Sequence, residues 1–219
     1  MKEPLKFFLV AGEPSGDLHG AKLIKAIKSL NPLTSFVGHG GSLMEGEGMK
    51  IVEHINKLSV MGFKEVVVHL PRIWKIMIST ISLIEEMKPD RIILIDYPGF
   101  NLRLAKSIYK LQIPISYFIL PQAWAWKRKR VELVKKYCSQ TYSLFPFEKS
   151  WYKSKGVNAK FFGHPFMDAE LLDETRAQFF KKHNLNQKNK IIALLPGSRQ
   201  QEIVKHWNVY IKTIALLKK

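Results

Sequence analysis

Short apolar runs rich in β-branched and aromatic residues alternate along this chain with amphipathic stretches of helical period, and that alternation restricts the fold more than any other feature. Phe7–Ala11, Ser35–Val37, Ile92–Ile95, Ile115–Ile119, Thr141–Leu144 and Lys160–Phe162 read as strands. Helices are predicted over Asp17–Leu30, Phe100–Leu111, Arg128–Tyr137 and Glu148–Lys155, with Pro89-Asp90 and Pro114 marking entries to strands. Strands joined by helical crossovers run parallel, and a parallel sheet is covered on both faces. The expectation is an α/β domain over residues 1–168 with a doubly wound parallel sheet.

The C-terminal part of the chain is shorter. A charged helical stretch, Ala169–His183, and the polar Asn184–Asn189 read as a helical linker over 169–189. Lys190–Leu195 then reads as a buried strand, Pro196-Gly197-Ser198-Arg199 as a tight turn and Glu202–Leu217 as a helix. A single strand–turn–helix unit cannot bury its own faces, because a domain needs about 50 residues or more. Residues 190–219 are therefore expected to open a second α/β domain whose remainder is missing or supplied by another chain.

Composition narrows the function. One cysteine, Cys138, excludes an internal disulfide and a cysteine metal site, which suits a reducing compartment. The apolar start at Phe7–Ala11 is too short for a signal peptide. Lys and Arg number 35 against 18 Asp and Glu, and the net charge of +17 favours anionic partners. Nucleic acid, anionic lipid and phosphorylated small molecules all fit that field.

In open parallel sheets ligands bind beyond the carboxyl ends of the strands. The first such turn holds Gly12, Glu13, Ser15, Gly16 and Asp17: the glycines allow close backbone approach, and Ser15 or Asp17 can cap the next helix. It is not a G-x-G-x-x-G fingerprint, and Val37-Gly38-His39-Gly40-Gly41 after the second strand offers no acidic residue, so a dinucleotide site is not expected. Asp96 ends a central apolar strand, where it can serve as a general base or cap the helix near Phe100. Trp124 and Trp126 precede Lys127-Arg128-Lys129-Arg130, a pairing that suits stacked bases, a membrane interface, or a solvated basic helix with core tryptophans. Leu58–Ile81 is strongly apolar, but His69, Pro71, Arg72 and Lys75 interrupt it below the length of a membrane span. It reads either as a surface for acyl chains or a bilayer, or as a pair of core helices. The last turn combines Gly197, Ser198, Arg199 and a helix N-terminus with Glu202, a set that suits a diphosphate.

These segments in this order resemble the lipid-A-disaccharide synthase family of GT-B glycosyltransferases. The resemblance is carried by Ala11-Gly12-Glu13-Pro14-Ser15-Gly16-Asp17, Val60-Met61-Gly62-Phe63-Lys64-Glu65-Val66, Ile95-Asp96-Tyr97-Pro98-Gly99-Phe100-Asn101, Trp124-Ala125-Trp126, Gly163-His164-Pro165 with Asp168, and Leu195-Pro196-Gly197-Ser198-Arg199 with Glu202. It implies the N-terminal half of two Rossmann-like domains. It also implies an inverting hexosyl transfer that joins UDP-2,3-diacylglucosamine to 2,3-diacylglucosamine 1-phosphate, giving lipid A disaccharide 1-phosphate and UDP, with no metal or other cofactor.

On that resemblance Asp96 is the candidate base, and Arg199, with Ser198, Gly197 and Glu202, lies at the donor diphosphate. Glu13, Ser15 and Asp17 line the facing turn. Val60, Met61, Phe63, Val66, Val67 and Leu70 would contact membrane and acyl chains, and Trp124, Trp126, Arg128 and Arg130 would contact phosphate or the interface. The implied place is the cytoplasm, peripheral on the inner membrane, where the positive charge meets an anionic surface and needs no nucleic acid. Family members continue well beyond this length, so the chain is expected to be incomplete and inactive alone unless a C-terminal partner chain or a homodimer supplies the rest. Another GT-B glycosyltransferase or a nucleotide-sugar epimerase would share the architecture. A basic nucleic-acid-binding or membrane-binding protein without catalysis would share the charge, but the nucleic-acid reading leaves Asp96 and the apolar run unexplained.

Overall fold

The computed structural model describes residues 4–58, 63–167, 174–197 and 200–217, with backbone alone for 63–69, 200 and 201. The chain divides into two compact units, Met1–Ala169 and Glu170–Lys219.

The first unit is built on a seven-stranded parallel sheet in the order β3-β2-β1-β4-β5-β6-β7. Its strands are β1 Lys6–Val10, β2 Ser35–Gly40, β3 Lys50–His54, β4 Arg91–Ile95, β5 Ile115–Phe118, β6 Gln140–Tyr142 and β7 Ala159–Lys160. Between them run α1 Pro14–Leu30, α2 Ser42–Gly46, α3 Ile55–Leu58, α4 Phe63–Met87, α5 Pro98–Ile108, α6 Arg130–Tyr137 and α7 Pro146–Ser154. Alternate residues of the central strands feed two cores, as the two-residue period of a strand requires. Leu9, Ile93 and Ile95 pack with Ile24 and Met44 of α1 and α2. Phe8, Val10, Ile92 and Leu94 pack with Ile84, Leu104 and Val134 of α4, α5 and α6. Each fully buried side chain of this size contributes about 1.5–3 kcal/mol.

Two local differences from the sequence reading have physical causes. Strand β3 is not among the expected strands: it lies at the sheet edge, exposes Lys50 and Val52, buries none of its residues fully, and so lacks a continuous buried run. The expected pair of core helices after Leu58 is one 25-residue helix, α4, which continues through Pro71. Ile76, Met77, Thr80 and Ile84 of α4 are all buried, and that packing offsets the roughly 3 kcal/mol that an interior proline costs a helix.

The second unit contains α8 Arg176–Lys182 and α9 Gln200–Leu217. A capping box starts α8: Thr175 Oγ1 accepts from the Gln178 amide at 3.3 Å while Gln178 Oε1 accepts from the Thr175 amide at 2.7 Å. The expected helix Ala169–His183 is thus confined, among the described residues, to this span. The expected strand Lys190–Leu195 is not formed. A strand exists through hydrogen bonds to a neighbour, no second strand is present among the described residues of this unit, and Ile191, Ile192 and Leu195 remain exposed.

Candidate active site

At the carboxyl end of β4 the chain makes an unusual turn. Asp96 and Tyr97 both have φ of 45°, a left-handed conformation that costs a non-glycine residue about 1–3 kcal/mol. Specific bonds hold it there. The Asp96 amide donates to the Phe118 carbonyl at 3.0 Å, and the Asp96 carbonyl accepts from Asn101 Nδ2 at 2.8 Å and from the Tyr117 hydroxyl at 2.7 Å. Asn101 and Tyr117 are fully buried, so the donors are fixed by the core. Tyr97 donates its hydroxyl to the Leu58 carbonyl at 3.0 Å, and its ring occupies the space where Gly12 would carry a Cβ.

The three bonds at Asp96 engage its main chain, and none of them uses its carboxylate. The N-cap of α5 is Tyr97, which has no side-chain capping bond, so the helix-capping role open to Asp96 is not the one taken. Burial first, and then the nearby Glu13 carboxylate, push the Asp96 pKa from 3.8 up to about 6. The Tyr97 amide and the Arg130 guanidinium pull it back in part. A carboxylate that titrates near neutral pH is matched to general-base work.

The residues of the first turn separate. Glu13 stands extended at the N-cap of α1 without a side-chain capping bond, and its charge acts on Asp96. Ser15 is exposed and caps nothing. Asp17 belongs to the scaffold: it lies inside α1 and caps α2 instead of its own helix. Its carboxylate accepts from the amides of Gly41 at 2.7 Å, Met44 at 3.0 Å and Leu43 at 3.1 Å. Gly16 lets α1 approach β1, since a Cβ there would stand 3.2 Å from that of Ala11.

The two tryptophans also part ways. Trp124 donates its indole N–H to Glu148 Oε1 at 2.9 Å, and the buried Glu148 accepts from the Leu144 and Phe145 amides with its other oxygen. Trp126 is exposed, with Lys127 Nζ 4.5 Å and the Arg130 guanidinium 4.7 Å from its ring centre. Arg128 points to solvent.

An apolar cleft of about 340 Å³ opens between α4 and α5, with Ile73, Met77, Tyr97, Phe100 and Arg103 in its walls. Leu70 and Trp74 form its rim, 52% and 65% exposed. Because Tyr97 is shared, the cleft adjoins the Asp96 turn. Phe63, Val66 and Val67 lie on the α4 backbone; Val60 and Met61 lie outside the described residues, as do Asp168, Ser198 and Arg199. In the second unit Gly197 has a left-handed φ of 111°, and a Cβ there would come within 2.6 Å of the Glu202 carboxylate.

Residues 7–219 match the family model described as lipid-A-disaccharide synthetase. The chain is 42% identical over 203 residues to a lipid-A-disaccharide synthase of Acidobacterium capsulatum, covering 93% of this chain and 51% of that protein. It is 37% identical over 203 residues to one from Myxococcus xanthus, covering 93% and 53%. The chain thus spans about half the length of the curated relatives it matches. Its fold is similar to that of Methanocaldococcus jannaschii UDP-GlcNAc 2-epimerase, solved with UDP-GlcNAc and UDP. The TM-score is 0.54 at 16% identity, over 82% of this chain and 54% of that one.

Proposed function

The chain belongs to the lipid-A-disaccharide synthetase family, and from that premise we propose that it carries the acceptor side of an inverting glycosyltransferase with Asp96 as its base. The reaction joins UDP-2,3-diacylglucosamine to 2,3-diacylglucosamine 1-phosphate. The acceptor hydroxyl gives its proton to Asp96 as its oxygen bonds to the anomeric carbon. The bond from that carbon to the UDP oxygen breaks on the opposite face, which inverts the centre and releases UDP.

The observation that carries this reading is the Asp96 turn at the end of a central strand: Asn101 and Tyr117 hold its main-chain carbonyl, and burial raises its carboxylate toward neutral pH. The apolar cleft beside it supports an acylated acceptor. Leu70 and Trp74 at the rim, with a net charge of +17, support peripheral attachment to an anionic membrane, here the cytoplasmic face of the inner membrane. Gly197, Ser198, Arg199 and Glu202 are assigned to the donor diphosphate from their sequence pattern. Departure of UDP builds negative charge, and a guanidinium with turn amides stabilises it.

The test is a fusion of this chain to the remaining half of the Acidobacterium capsulatum relative, assayed for UDP release with both diacyl substrates. Asp96→Asn is expected to lower kcat by about 100- to 10,000-fold, the range general-base catalysis supplies, with KM little changed. A loss under about tenfold would remove Asp96 from the base role.

A further inference from the structure

Lys127, Arg128, Lys129 and Arg130 lie in the connection from β5 into α6, and among the described residues no carboxylate forms an ion pair with any of them. Such uncompensated charge attracts an anion. Two of these cations are oriented: the Lys127 ammonium and the Arg130 guanidinium both rest on the exposed ring of Trp126. A cation–π contact biases where a guanidinium lies. The ring leaves most of its five N–H donors open for an acceptor. The Arg130 charge also reaches the candidate base, where it favours the ionised form. Around Asp96 stand Glu13 at the start of α1, the Tyr97 amide, Tyr117 on β5 and Arg130 on α6, and of these only Arg130 is cationic.

We propose that this Trp126 clasp, with Arg130 as its forked donor, seats the phosphate monoester of the acceptor, and that filling it is coupled to proton binding at Asp96. The identity of the acceptor rests on the glycosyltransferase reading; the clasp rests on its own geometry. A phosphate dianion takes two parallel N–H bonds from a guanidinium, and Lys127 adds a point charge. Once paired, Arg130 no longer offsets the burial and the Glu13 charge that favour protonation of Asp96. The acceptor's own phosphate thereby makes Asp96 a stronger base for the acceptor's hydroxyl.

The experiment titrates the 219-residue chain with glucosamine 1-phosphate, following the Trp126 indole N–H and the Asp96 carboxyl by NMR. A saturable shift at Trp126 is expected, together with a rise of the Asp96 midpoint above its free value of about 6. Arg130→Gln should weaken binding about tenfold or more and abolish the Asp96 response. Arg130→Lys, which keeps the charge and loses the fork, should weaken binding by a smaller factor and guards against misfolding of the first variant. Unchanged binding in both variants, or binding that leaves Asp96 unmoved, would overturn the proposal. Vesicles of phosphatidylglycerol form the second arm: a Trp126 response to them and none to the sugar phosphate would assign the clasp to a lipid headgroup and overturn it as well. Since no donor is present, a fusion enzyme that fails to release UDP while glucosamine 1-phosphate binds as described would sink the transferase reading and leave the clasp standing.

Discussion

Replacing Gly12 with alanine is expected to destabilise the chain by about 2 kcal/mol and to disturb the Asp96 turn. Gly12 is buried and has no left-handed φ, so alanine meets no backbone strain there. The cost is steric, because a Cβ would overlap the Cγ, Cδ1 and Cε1 atoms of the Tyr97 ring. That ring cannot move freely: its hydroxyl is bonded to the Leu58 carbonyl and it stacks on Phe100, with centroids 5.8 Å apart. Overpacking of this kind costs about 1–3 kcal/mol, and losing the Leu58 bond adds about 1 kcal/mol. The smaller entropy of the unfolded alanine chain offsets about 0.4–1 kcal/mol. Urea unfolding at pH 7 measures the net effect, and the same substitution in a Tyr97→Ala background, which lacks the Cγ and Cδ1 atoms that clash, should cost far less. A Gly12→Ala chain within about 0.5 kcal/mol of the parent, the usual scatter of a neutral change, would refute the reasoning, as would equal cost in both backgrounds.

Two further outcomes are expected from the same framework. Asp17→Ala removes the acceptor of three amides at the start of α2, so a loss of about 2–4 kcal/mol is expected in urea unfolding, with Asp17→Asn recovering part; a loss under about 1 kcal/mol would show that α2 is held otherwise. For Asp96 the folded pKa is raised from 3.8 to about 6, so between those values the folded chain binds more protons and its stability falls as pH rises through the window. Asp96→Asn should therefore be more stable than the parent at pH 8, with the gap closing below pH 4, and a gap equal at both pH values would contradict the shift.

How much of this was legible in the sequence depended on where each signal was stored. Strands β1, β4 and β5 announce themselves because they are buried on both faces, whereas the edge strand β3 does not. Helix α1 begins at Pro14, three residues before the predicted start at Asp17, although proline at the first helical position is itself a start signal. Asp96 stood out by its place after a central apolar strand. Asn101 and Tyr117, which hold it, did not, because bonds to a main-chain carbonyl from five residues ahead and from the neighbouring strand leave no trace in pattern. Asp17 looked like a site carboxylate or the cap of its own helix, and only the packing of α2 against α1 gives it another helix to cap. Trp124 and Trp126 are alike in sequence, and buried Glu148 distinguishes them by claiming one indole. Lys190–Leu195 has the composition of a strand, but pairing belongs to a partner and not to composition.

The account turns on an aspartate whose main chain the fold fixes and whose carboxylate it desolvates, and direct titration of Asp96 tests that claim. Carboxyl carbon NMR of the 219-residue chain across pH, with the resonance assigned by its loss in Asp96→Asn, should give a midpoint of about 6. A midpoint at the ordinary aspartate value of about 4 would contradict it, because Asp96 would then be a solvated surface acid with no claim to act as the base.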